Sequence, residues 1–176
     1  DAISKVRDEF PWDAFYITNY HQFAKQELNN AGVQFEVPPD YEKMAEKARS
    51  DYWEKQYFSN LALFAEHSAD NQKYDAILID EVQDYRYEWL EIIKKCYLKP
   101  GGEYVLFGDE KQNIYDLELE ERDIRTNIPQ RPTRMRETFR LNQALANKVL
   151  DYQKLCMGKK YNIDGDIVVQ RSLSFG

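Results

Sequence analysis

Two short apolar runs constrain the fold of this chain more than anything else in it. Ala76-Ile77-Leu78-Ile79 and Tyr104-Val105-Leu106-Phe107 are each the length of a short strand, and each is closed by polar residues. Between them Tyr85, Trp89, Ile92, Ile93, Cys96 and Tyr97 fall at helical spacing, and Pro100-Gly101-Gly102 is expected to end that helix. Strand, helix, strand in this order is a βαβ unit. Its two strands run parallel, though not necessarily as neighbours in the sheet. An unbroken apolar run also predicts a strand buried on both faces. The expected class is therefore α/β, with a parallel sheet flanked by helices in three layers.

The remainder reads as helices and connectors around that centre. Phe15 to Thr18 suggests a short strand. Tyr20 to Leu28 suggests a helix with Phe23, Ala24 and Leu28 on one side, stopped by Asn29, Asn30 and Gly32. The stretch to Pro39 is a linker, because paired prolines oppose both helix and central strand. From Tyr41 to His67 the pattern is helical in two pieces, with Met44, Ala48 and Tyr52 on one face and Tyr57, Leu61 and Phe64 on another. The chain turns polar and charged from Tyr115 to Arg134. A further helix then places Leu141, Leu145, Val149 and Tyr152 in register, and Ile167 to Val169 forms a last strand. With 176 residues, one domain is expected over 1–176, carrying a small helical insertion at 35–70. Thirteen tyrosines are too many for a dry core, so several rings should sit at wet surfaces or pack as a face between Tyr41 and Tyr57.

Charge and cysteine usage exclude some classes. The net charge of -7 argues against a wholly basic nucleic-acid coat, but a groove needs only local positive charge. No apolar stretch approaches the ~20 residues a membrane span needs, and no secretory signal is visible, so a cytoplasmic location without a membrane partner is expected. Cys96 and Cys156 have no CxxC neighbour and no His at ligand spacing, which suits reduced, buried thiols. The chain opens at Asp1 without Met, as a segment of a longer protein would.

Ligands of parallel α/β sheets bind outside the carboxyl ends of the strands. Asp80 and Glu81 stand at one such end and Asp109 at the other, with Gln83 and Gln112 close by in sequence. Three carboxylates gathered on one rim repel unless a cation or hydrogen bonds offset them. Mg²⁺ takes oxygen ligands and keeps several waters while binding one or two carboxylates and phosphate oxygens. Asp80 could hold such an ion, leaving Glu81 to orient or deprotonate an attacking water. The same residues suit a second reading equally well: Asp80, Glu81 and Asp84 would simply cap the helix that starts near Tyr85.

The two strand ends taken together carry a resemblance. Ile77-Leu78-Ile79-Asp80-Glu81-Val82-Gln83-Asp84 resembles the Walker B motif of UvrD/Rep-type superfamily 1 DNA helicases, and Gly108-Asp109-Glu110-Lys111-Gln112-Asn113-Ile114-Tyr115 resembles their motif III. Glu137-Thr138-Phe139-Arg140 is similar to their motif IV, and Thr18 to Phe23 is a looser match to a segment ahead of Walker B. The resemblance implies a partial RecA-like P-loop NTPase core, with 135–176 as the start of a second motor domain. It implies ATP and Mg²⁺ as cofactors, single-stranded nucleic acid (DNA expected) as partner, and the remaining helicase domains of the same chain around it. By the same resemblance Asp80 would hold Mg²⁺, Glu81 would activate the hydrolytic water, and Gln112 and Arg140 would contact the γ-phosphate. Gln83, Asp109 and Phe139 would line the nucleotide, with Phe139 stacking on adenine. His21 and Tyr115 would lie toward the single strand. Read alone, Phe139 suits a core position, His21 a surface helix start, and Arg140 a local ion pair.

The sequence also departs from the family. No G-x-x-x-x-G-K-[ST] loop is present; Gly158-Lys159 follows a helix and is a decoy. The family places that loop upstream, so neither cofactor is expected to bind well to this segment alone. Asp116-Leu117 stand where the family has a Trp after the motif III Tyr, and motifs V and VI are not recognisable. Two other classes stay open: a helicase-like binding or scaffold module without ATPase activity, and a Mg²⁺-dependent nuclease using Asp80, Glu81 and Asp109.

Overall fold

The computed structural model describes residues 14–68, 71–109, 126–130, 133, 137–138, 141–157 and 168–169. The chain divides into two compact units, Asp1–Lys73 with Glu91–Tyr97 and Tyr74–Leu90 with Leu98–Gly176.

In the first unit, helix α1 spans Tyr20–Asn30. Asn19 caps it by accepting the Gln22 N–H at 3.0 Å, which satisfies one of the orphan amides of the first turn. Tyr20, Phe23, Ala24 and Leu28 form the buried stripe. The helix runs past Leu28 and stops at Gly32, whose φ of 75° is the left-handed conformation that glycine adopts without steric cost. The expected strand over Phe15 to Thr18 is not formed. That segment has no hydrogen-bonded neighbour strand among the described residues; instead Tyr16 reaches α1, donating its hydroxyl to Gln26 Oε1 at 2.8 Å.

The helical stretch beyond the linker comes in three pieces, not two. A 3₁₀ turn at Tyr41–Lys43 ends where Met44 turns extended. Helix α2 follows at Glu46–Trp53 and runs into a π turn at Glu54–Phe58, and helix α3 spans Leu61–Glu66 under an Asn60 cap. Here the tyrosines find their use. Phe35, Tyr41, Tyr52, Trp53 and Tyr57 pack ring against ring, with centroids 4.8–6.3 Å apart. Two polar tips close the backbone at Glu36, where Tyr57 Oη accepts the N–H at 2.7 Å and Tyr52 donates to the carbonyl at 2.8 Å, and Trp53 donates to the Tyr41 side-chain Oη at 2.8 Å. Glu91–Tyr97 completes the unit. Tyr97 is fully buried with its ring edge-on to Phe23 at 4.6 Å and to Phe64 at 6.3 Å. Lys73 donates to the Cys96 carbonyl at 3.1 Å, and burial pushes the Cys96 thiol pKa up against the opposing pull of Lys73 and Lys95.

The second unit holds the two strands of the βαβ motif. Strands β1 (Tyr74–Ile79) and β2 (Leu98–Leu106) pair in parallel and are adjacent, with Ile77 opposite Tyr104 and Ile79 opposite Leu106. Helix α4, Tyr87–Ile92, connects them through a π turn at Ile93–Tyr97. The helix thus ends before Pro100, and Pro100-Gly101-Gly102 lies within β2, where the register is irregular between Tyr74 and Ala76. Burial of β1 is one-sided: Ile79 is buried, but Leu78 is 64% exposed. The unbroken apolar run therefore does not report two covered faces here. A second parallel pair joins β3 (Glu137–Thr138) to β4 (Val168–Val169), and helix α5 (Gln143–Tyr152) begins at an Asn142 cap. The class is mixed α/β, as expected. Among the described residues the sheets are two-stranded, and a three-layer arrangement is not seen. No described helix is long and apolar enough to cross a membrane.

Candidate active site at the end of strand β1

The backbone that leaves β1 is pinned from the neighbouring strand. Phe107 N–H donates to Ile79 O at 2.8 Å, and Val82 N–H donates to Phe107 O at 2.8 Å, so one residue of the β2 end grips both sides of the Asp80-Glu81 step. Glu81 adopts φ 52° and ψ 46°, the left-handed region, and is the one non-glycine residue with positive φ among those described. For an L-residue this costs on the order of 1–2 kcal/mol. The cost is offset by the two ladder bonds and by a 3₁₀ turn over Val82–Asp84, in which Asp84 N–H donates to Glu81 O at 2.9 Å and Tyr85 N–H to Val82 O at 3.0 Å.

The side chains divide into exposed acids and a buried amide. Asp80 and Glu81 are both exposed at the strand end. Asp80 Oδ1 accepts the Glu81 N–H at 3.0 Å, and its second oxygen has no hydrogen-bond partner among the described residues. Gln83 is 4% exposed, and it donates from Nε2 to Glu81 Oε2 at 2.5 Å while its Oε1 accepts the Asp109 N–H at 3.0 Å. The strand ends are therefore tied together through Gln83. Asp84 Oδ1 is buried without a hydrogen-bond partner among the described residues.

These bonds bear on the helix-cap reading of the acidic run. Helix α4 starts at Tyr87, and the Leu90 N–H at its first turn goes to Arg86 O. Asp80, Glu81 and Asp84 make no hydrogen bond to an α4 amide among the described residues, so they do not cap that helix. Among the described residues no group of three or more His, Cys, Asp or Glu is placed to hold a metal ion. What the site offers a cation is the open Asp80 carboxylate. That fits Mg²⁺, which takes one or two carboxylates and fills its remaining positions with water and phosphate oxygens.

His21 belongs to the first unit, on the first turn of α1. Its ring is half exposed, and Nε2 lies 2.8 Å from Oε1 of the buried Glu54. Ser59 Oγ donates to the other Glu54 oxygen at 3.0 Å, and the Phe58 ring stands edge-on to the imidazole at 5.1 Å. The carboxylate partner is not foreseeable from the sequence. The two residues are far apart along the chain, and Glu54 sits in a run of charged and aromatic residues that gives no sign of burial. Gln112, Tyr115, Phe139 and Arg140 lie outside the described residues.

Two parallel strands joined by a helix, with an Asp-Glu pair at the carboxyl end of the first, put the chain in the mixed α/β class, in which ligands bind outside the carboxyl ends of the strands. Residues 13–121 match the family model of the UvrD/REP helicase N-terminal domain. The match covers well over half of the chain, and the chain belongs to that family. Searches of curated proteins and of solved structures returned no match.

Proposed function

We propose that this chain contributes the water-activating half of the ATP site of a helicase that moves on single-stranded nucleic acid, DNA being the expected strand. One observation carries the reading: in a UvrD/REP-family chain, Glu81 stands exposed beside Asp80 at a strand end, held in a left-handed backbone by bonds from the next strand. Strain kept at one residue by surrounding bonds is common where a reacting group must be aimed. Asp80 would hold Mg²⁺, which when bound would neutralise charge on the phosphate oxygens. Glu81 would orient and deprotonate the attacking water. Gln112 and Arg140 would contact the γ-phosphate, Asp109 would line the nucleotide, and Phe139 would stack on adenine. The half-exposed His21 ring, braced by Glu54, and Tyr115 would face the strand. A RecA-like core and a second motor domain beginning in 135–176 belong to the same reading.

In the full natural protein, Asp80→Asn should raise the Mg²⁺ concentration that half-saturates ATP hydrolysis by about tenfold or more. An unchanged Mg²⁺ dependence would count against the assignment. The nuclease reading needs three convergent carboxylates, and the absence of any such cluster among the described residues disfavours it.

A further inference from the structure

Gln83 lies between the two strand ends and is not placed like a ligand. Its side chain is buried, and both polar ends of its amide are used within the protein. The orientation of that amide is fixed by its partners. A carboxylate oxygen can only accept and a backbone N–H can only donate, so just one of the two flips satisfies both contacts. Asp109 N–H therefore holds Oε1, and the planar amide in turn holds Nε2 against Glu81 Oε2.

We propose that Gln83 is a positioning residue that couples the end of strand β2 to the carboxylate of Glu81. The proposal rests on the reading of Glu81 as the water-activating base. An exposed glutamate side chain on its own samples several rotamers, and holding one of them costs entropy. The bond from Gln83 supplies that restraint, and a donor meeting a carboxylate is among the stronger hydrogen bonds available. The anchor of the restraint is the backbone at Asp109, where the chain leaves β2 toward Gln112. A displacement of that backbone would move Oε1, and a planar amide cannot absorb the movement without turning Nε2 away from Glu81. No other described side chain bonds both Glu81 and the β2 end.

The test uses the full natural protein and separates kcat from KM. Gln83→Glu keeps the shape and the acceptor for Asp109 but has no donor for Glu81. Gln83→Met keeps much of the length and removes both ends. Each should lower kcat for nucleic-acid-stimulated ATP hydrolysis by about tenfold to a hundredfold, the scale for a misplaced reacting group, with KM for ATP within about twofold of the parent. Thermal melting identifies a folded variant, and Gln83→Met decides if the buried charge of Gln83→Glu prevents folding. A parental kcat in the folded variant, or a raised KM with kcat unchanged, overturns the proposal. Glu81→Gln run alongside separates the two claims: if it is inactive while the Gln83 variant is fully active, only the positioning role is lost. If Glu81→Gln itself works at the parental rate, the reading beneath it fails.

Discussion

Glu27 illustrates how single residues in this chain carry conflicting demands. It lies on α1, and its carboxyl pKa is raised, chiefly because burial penalises the charge; hydrogen bonds from Tyr97 and Asn30 oppose the shift without cancelling it. A raised folded-state pKa means the folded chain holds the proton more tightly than the unfolded chain. The contribution to stability is complete in acid and is lost as pH rises through the carboxylate range. Gln at this position cannot ionise but still accepts hydrogen bonds. Glu27→Gln should therefore melt above the parent at neutral pH, with the difference closing as pH falls below the carboxylate range. Thermal melts across that range check it, and a variant that melts lower than the parent at neutral pH would contradict burial as the dominant cause. Residue-level chemistry at the strand end is partly legible in the sequence. The Asp80-Glu81 pair announces itself by type and by its place after an apolar run, but nothing in the letters marks Glu81 as left-handed. That conformation is held by Phe107, which bonds the backbone on both sides of the Asp80-Glu81 step from the next strand, and by the 3₁₀ turn that follows.

Elements are legible where local pattern and tertiary demand agree. The stripe Phe23, Ala24, Leu28 is the buried face of α1, and the two apolar runs are the paired strands. Legibility ends where a long-range contact overrides the local signal. Pro100-Gly101-Gly102 looks like a helix stop, yet it serves the irregular start of β2. Gly102 is there for a reason of space: a Cβ would stand 2.8 Å from Asp75 O, 2.9 Å from a Leu98 methyl and 3.0 Å from Lys99 O. Two of those neighbours are backbone oxygens that cannot swing aside. Gly102→Ala should cost about 1–3 kcal/mol, as overpacking does, and lower the urea midpoint accordingly. An unchanged midpoint would mean that β2 can shift its register here without loss. The outward side of β1 departs from expectation for a related reason. An apolar run says which faces can be buried, while burial itself depends on what is packed there, and Leu78 remains open.

At the scale of the whole molecule, two strand-end motifs in the right order point to the family from sequence, and the match over 13–121 includes both. Class and family follow from local runs because those runs are contiguous. The pairings that organise the units are not contiguous: His21 meets Glu54, and Gln83 meets Asp109, through folding alone. Sequence spacing has no means of stating such contacts, and they are where the site gains its geometry. The central claim is that Glu81 activates water for ATP hydrolysis, and it is tested most directly by Glu81→Gln in the full natural protein. Nucleic-acid-stimulated hydrolysis and nucleotide affinity would be measured on the same preparation. The expected result is a fall in kcat of about 10²–10⁴-fold with nucleotide affinity retained, as loss of a general base requires. Hydrolysis at the parental rate would contradict it.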